Sequence, residues 1–264
     1  MFDVITGRRN FARILGGMAG VVVVGGGAAA AVGAVQKNLD DERTKFKTLP
    51  WPYAKLDLDR VAMRAFDGYR KAGCMYGVFE PMVGSTAERL GPTYQSFPHE
   101  VMAFGTEGIA GWATVCGALS GAAAAFHMLS KEPGPLVDAL FGWYQEQPLP
   151  NVQLASMKPV AQTVAGSPLC HVSIAHWCQS TGKKAQDPAR IERCAALVVS
   201  VARRATELLN TQLAGRPLPV MNAQGPAATC SGCHEKGGAV EDAVGKLDCQ
   251  SCHFHLTADE HPKT

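Results

Sequence analysis

The chain has 264 residues, of which 47% are hydrophobic and 18% are charged, a balance that suits one globular domain with a small appendage. Its formal net charge of +2 is too small to indicate a nucleic-acid-binding surface, and no basic run interleaves with aromatic residues. Aromatic residues are few, whereas Gly and Ala are frequent. This composition favours helices that pack closely through small side chains.

The first residues have the order of an export signal. Arg8 and Arg9 are followed by Phe11, and an uncharged run of 22 residues then extends from Ile14 to Val35. The Arg-Arg-x-Phe core is typical of the twin-arginine signal, whose pathway carries proteins that are already folded. We interpret residues 1–35 as this signal, with cleavage after Ala34. A retained anchor is the alternative, because 22 uncharged residues are long enough for a bilayer. Both interpretations place the folded part in the periplasm.

The rest of the chain predicts a mainly α fold that begins after an extended lead-in. Residues 36–56 are polar and contain several prolines, and a helical Cys-containing domain over residues 57–213 follows. The first helix starts near Asp57, where apolar residues begin to recur every four positions. Gly73 is expected to break this helix, and a short second helix is expected to end at Pro81.

Three more helices are predicted in this domain. The longest apolar stretch of the exported part ends near His127, and small residues recur in it every four positions, at Gly117, Gly121 and Ala125. Polar residues flank this stretch, so we expect a buried helix with a small-residue face and not a membrane dimer. The segment LVDALFGWYQEQ predicts the next helix.

The last long helix is expected from Pro188 to about Leu213, with Asp187 as its N-cap. Its apolar face comprises Cys194, Leu197, Val198, Val201, Ala205, Leu208 and Leu209. A Gly/Pro linker over residues 214–228 precedes a tail at 229–264. No alternation with the period of a β-strand predicts a sheet.

The tail holds two Cys-x-x-Cys pairs, and each is followed directly by His. Considered without the histidines, the four cysteines fit a four-thiolate zinc site: Cys230, Cys233, Cys249 and Cys252. Zinc does not require His234 and His253, which chance would place there about once in a thousand chains. A c-type haem requires both thiols for its vinyl groups and the histidine as proximal iron ligand. We therefore predict two covalent haems, with zinc or disulfides as alternatives.

The second axial ligand of each haem is left open by the sequence. His255 lies two residues after His253 and is a candidate for the neighbouring haem or for a partner subunit. His171 and His176 are also candidates, and on a helix the five-residue step from one to the other turns their side chains about 140° apart. His261 is a weaker candidate, whereas His99 and His127 are interpreted as ordinary structural residues.

Five further cysteines lie in the helical segments: Cys74, Cys116, Cys170, Cys178 and Cys194. Buried structural thiols are one interpretation. However, unprotected thiols oxidise outside the cytoplasm. Haem c is attached after export, so it does not explain a signal for folded transport. A cofactor acquired in the cytoplasm, such as an iron–sulfur cluster, does explain that signal.

These residues resemble the redox-active family named for its C-GCAxxG-C-C cysteine pattern. The resemblance is carried by GCMYGVFEPMVG, GIAGWATVCGALSGAAAAFHML, LCHVSIAHWC and RIERCAALVVSVARRATELLN, and the two tail units resemble the family's haem-bearing branch. It covers residues 57–264. At Cys116 the chain has Val-Cys-Gly-Ala where the pattern has Gly-Cys-Ala. The resemblance implies a largely helical homodimer with two closely packed, bis-histidinyl c-type haems per subunit and a ligand histidine from either subunit. It also implies an iron–sulfur site on the cysteines of the four-cysteine pattern, for which the five helical cysteines are the candidates.

The sequence therefore predicts a periplasmic dihaem c-type cytochrome, which is more an electron carrier than an enzyme. An iron–sulfur cluster is a possible further cofactor, and the redox partner is an unidentified protein. One alternative is a small periplasmic haem reductase with one open iron site. A second alternative is an interaction module that zinc stabilises.

Overall fold

The computed structural model describes residues 48–91, 97–219 and 227–247. The predicted export signal therefore lies outside the described residues, and so do Cys249, Cys252, His253, His255 and His261. The described part is mainly helical, as the sequence predicts.

Helix α1 runs over Leu58–Leu90, and the side chain of Asp57 caps it by accepting a hydrogen bond from the Arg60 amide at 2.8 Å. Ala72 and Gly73 leave helical geometry and divide α1 at a kink, which confirms the break predicted at Gly73. The predicted end at Pro81 is wrong, because the helix continues to Leu90. Nearly every residue after the kink is buried, and this packing outweighs the hydrogen bond that a proline removes.

A 3₁₀ helix at His99–Gly105 is followed by helices α2, Gly117–Leu129, and α3, Pro133–Glu146. Helix α2 packs against α1 through its small-residue face, which includes Gly121. A Cβ atom on Gly121 would lie 2.3 Å from the carbonyl oxygen of Met75. The predicted buried helix with a small-residue face is therefore confirmed.

Two short strands and a fourth helix follow. Strand β1, Pro148–Leu149, pairs antiparallel with β2, Thr163–Val164. Helix α4 spans Cys170–Thr181. An isolated antiparallel bridge between Val115 and Leu169 joins the residues immediately before α2 and α4, so the two helix starts are neighbours.

Helix α5, Ala189–Leu213, packs along α1 and forms the centre of the core. It begins one residue after the predicted start, and Asp187 accepts a hydrogen bond from the Ala189 amide at 2.8 Å. The predicted apolar face is buried throughout, at Cys194, Leu197, Val198, Val201, Ala205, Leu208 and Leu209. Helix α6, Ala227–His234, begins inside the segment predicted as a linker. Within the described residues, no helix has both the length and the hydropathy that a membrane span requires.

Candidate metal centres

Four of the five helical cysteines meet in the core. Cys74 follows the kink of α1, Cys116 is the N-cap of α2, Cys170 begins α4, and Cys194 lies in α5. All four are buried and line one small interior cavity. Cys178 is half-buried and does not line that cavity. The structure thus separates four cysteines from a fifth that the sequence could not distinguish.

Local backbone geometry explains how these thiols come together. The amide of Cys116 donates to the carbonyl of Pro168 at 2.8 Å, and the amide of Cys170 donates to the carbonyl of Thr114 at 2.7 Å. These two bonds hold Cys116 beside Cys170. A Cβ on Gly117 would lie 1.9 Å from the Gly105 carbonyl oxygen and 3.0 Å from Cys74 Cβ. The glycine after Cys116, where the chain departs from the family pattern, is therefore required for the close approach of α2 to the end of the 3₁₀ helix at Gly105.

A second, larger cavity of about 410 Å³ opens beside the four thiols. Cys74, Cys170 and Cys194 line it, and polar side chains lie around it, including Tyr69, Arg70, Thr106, Glu107 and Arg190. Arg190 and Glu107 form an ion pair at 2.7 Å. Three of the four thiols can therefore be reached from this cavity.

Burial raises the pKa of three of these thiols, those of Cys74, Cys170 and Cys194. Desolvation, together with the smaller effect of neighbouring Cys116, raises the pKa of Cys170 to about 12. Desolvation also raises the pKa of Cys74 and that of Cys194, and Arg193 opposes the shift at Cys194. Thiolates in this pocket therefore require positive charge beside them, from a metal or from a side chain.

The spacing of the thiols bears on which group they fit. No three His, Cys, Asp or Glu side chains in the described ranges stand close enough to hold one common metal ion. Four cysteines nevertheless line one cavity. Four cysteine thiolates are a ligand set that both zinc ions and iron–sulfur clusters use in proteins.

Two polar side chains that the sequence did not single out line the same interior cavity. Arg193 is 2% exposed, and its Nη2 donates to Ser173 Oγ at 2.8 Å. The hydroxyl of Tyr144 donates to the same Ser173 Oγ at 3.1 Å. Burial raises the pKa of Tyr144, and neighbouring Cys116 raises it further. The signal available in the sequence was Arg193 directly before Cys194, on a helix whose other buried residues are mostly apolar.

The first Cys-x-x-Cys-His unit lies on helix α6. Cys230 is half-buried, Cys233 is exposed, and His234 is half-buried. Steps of three and four residues place all three side chains on one face of the helix. Nδ1 of His234 lies 2.6 Å from Oδ1 of Asp242, a partner that the sequence reasoning missed. A carboxylate on one ring nitrogen fixes the orientation of a histidine and assigns metal binding to the other nitrogen.

The described candidates for the second axial position lie on α4. His171 is exposed, whereas His176 is half-buried and its Nδ1 lies 3.3 Å from the carbonyl oxygen of Val164. The two rings therefore have different surroundings, as their five-residue spacing predicts. His127 lies in the last turn of α2 with Nδ1 2.9 Å from the carbonyl oxygen of Ala123. His99 packs against Phe79.

The chain is similar to known redox-active proteins. Residues 79–208 match the family model for redox-active proteins of the C_GCAxxG_C_C type. Split-Soret cytochrome c of Desulfovibrio desulfuricans is 35% identical over 226 residues, which cover 80% of each chain. A solved structure of that cytochrome, described as having a novel iron centre, superposes with a TM-score of 0.71 and 34% identity. It covers 77% of this chain and 90% of its own.

The relative is a redox-active haem protein, which supports the prediction of an electron-transfer cytochrome with bound haem and an iron centre. The chain belongs to the C_GCAxxG_C_C family of redox-active proteins and, within it, is a homologue of split-Soret cytochrome c.

Proposed function

We propose that this chain is a periplasmic dihaem c-type cytochrome that carries electrons and also holds an iron–sulfur cluster on Cys74, Cys116, Cys170 and Cys194. The observation that carries the proposal is the convergence of four cysteines from four separate helices in one buried cavity. When bound, the haems and the cluster supply one-electron redox chemistry.

The residues of this chain have distinct roles in the proposal. Cys230 and Cys233 bind the first haem covalently, and His234 ligates its iron through Nε2 while Asp242 orients the ring through Nδ1. Cys249, Cys252 and His253 hold the second haem in the same way. The four core cysteines hold the cluster.

Location and assembly extend the proposal. The Arg8-Arg9-x-Phe11 signal supports export of a folded protein, and a cluster inserted before export explains the need for that pathway. We also infer a homodimer in which His255, His171 or His176 supplies the second axial ligand to a haem. The redox partner is a separate protein.

Composition analysis tests the proposal directly. Protein purified from its native host without exposure to oxygen is analysed for covalent haem, total iron and acid-labile sulfide per chain. We expect two haems together with non-haem iron and sulfide. Zinc in place of covalent haem would refute the cytochrome, and haem iron alone would refute the cluster.

The large cavity favours a second candidate function, that of a small reductase. About 410 Å³ of space reaches three of the four cluster cysteines, enough to admit a small molecule. Carbon monoxide separates the two functions at the haems. An unchanged Soret band after reduction indicates six-coordinate carriers, whereas a shifted band indicates an open iron site.

A further inference from the structure

Arg193 is a buried cation that forms no ion pair with a carboxylate in the described part of the chain. It is 2% exposed, and its described hydrogen-bond acceptors are the Oγ and carbonyl oxygen of Ser173, at 2.8 Å and 3.5 Å. Nε is buried and makes no hydrogen bond. Among the residues that the structure describes, no carboxylate forms an ion pair with this guanidinium.

Such a residue needs an explanation, because an arginine side chain stays protonated inside a protein. Burying an unpaired charge is strongly unfavourable, and long basic side chains usually avoid it by extending to the surface. Arg204, on the same helix, does so: its side chain is 21% exposed and pairs with Glu207 at 2.7 Å. Arg193 is instead held inside the core by Ser173.

The surroundings of Arg193 indicate where its counter-charge lies. It lines the interior cavity with all four core cysteines. Arg190, which lines the larger neighbouring cavity, is already paired with Glu107 at 2.7 Å.

We propose that Arg193 is the charge-compensating residue of the iron centre. Its guanidinium, positioned by Ser173, offsets the negative charge of the cysteine thiolates, and this keeps the cluster bound and easier to reduce. The hydroxyl of Tyr144 donates to the same serine oxygen and fixes the geometry. The inference rests on the proposed function, because it requires a cluster on the four cysteines.

The principal test is a redox titration of the cluster by electron paramagnetic resonance in the full, loaded chain. Removing the positive charge in Arg193→Gln makes addition of an electron less favourable. We expect the equilibrium to move at least tenfold towards the oxidised cluster, which for a one-electron couple is a fall of about 59 mV in midpoint potential. Arg193→Lys retains the charge and recovers most of the wild-type potential.

Arg204→Gln is the matched control, since it removes the same group from the same helix beside a solvated carboxylate. Its cluster potential is expected to equal that of the wild type. A potential for Arg193→Gln that also equals the wild type, with the cluster retained, overturns the inference but not the proposed function. A wild-type protein without non-haem iron and sulfide overturns both.

Stability of the iron-depleted protein provides a second measurement if Arg193→Gln loses the cluster. Chelator treatment under reducing conditions removes the counter-charge while the covalent haems stay attached. Arg193→Met then removes an unmatched buried cation, so we expect the depleted variant to unfold at a higher urea concentration than the depleted wild type. A lower urea midpoint for the depleted variant overturns the inference, because Arg193 is then a purely structural residue.

Discussion

Replacing Gly117 with alanine tests whether the close approach of α2 to the 3₁₀ helix builds the four-cysteine site. The added Cβ would lie 1.9 Å from the Gly105 carbonyl oxygen, whereas real Cβ atoms essentially never approach closer than 3.0 Å. The obstruction is backbone, so no side-chain rotation relieves it. The start of α2 must therefore move by about 1 Å, and it carries Cys116 away from Cys74. We expect Gly117→Ala to lower the free energy of unfolding by about 1–3 kcal/mol, the usual range for overpacking.

The assay combines urea unfolding with the ratio of non-haem iron to haem, and Gly134→Ala is its control. Gly134 lies in α3 with nothing within 4 Å of its added Cβ. Its replacement should raise stability by about 0.4–1 kcal/mol, because alanine restricts the unfolded chain. Gly117→Ala should also lose non-haem iron, whereas Gly134→Ala keeps it. Equal stability and equal iron content in the two variants would refute the packing argument.

Three further predictions concern the two metal sites. Cys194→Ser should lose non-haem iron while Cys178→Ser keeps it in iron analysis, and equal loss would contradict the four-cysteine assignment. Asp242→Asn should raise a haem midpoint potential in a spectroelectrochemical titration, because a charge-assisted hydrogen bond to His234 becomes neutral. The expected change in the free energy of reduction is on the order of 1 kcal/mol. An unchanged potential would exclude Asp242 as a positioning residue. Ser173→Ala should cost about 1–3 kcal/mol in urea unfolding, because two buried donors lose their acceptor. Lys246→Ala, which breaks an exposed pair with Asp138, should cost less than about 1 kcal/mol, and a similar loss in both would contradict this account.

The features that the sequence predicted well depend on local chemistry. Asp57 and Asp187 cap helices through hydrogen bonds to amides two or three residues away, so their short-range signal is sufficient. Gly73 breaks α1 because only glycine readily adopts its φ of 81°. The predicted helix end at Pro81 is wrong, because the burial of the residues around it, which is a tertiary property, keeps the chain helical.

The composition of the cluster site could be predicted only in part. Cys170 and Cys178 lie on the same helix, and the orientation of α4 in the fold decides that the first lines the cavity and the second does not. Arg193 resembles any surface arginine of a charged helix start until its burial is known. The Asp242 partner of His234 depends on a turn after α6 that has no periodic signal.

The four core cysteines come from four different helices, α1, α2, α4 and α5. A cluster bound to them would therefore cross-link most of the helical domain. The loops it closes are long, so a group that binds only the folded chain opposes unfolding across the whole domain. Opening any one of the four helices would release a ligand. The rate of iron release should therefore report on local opening of this domain, and a chain that has lost its iron should be recognised by its faster proteolysis.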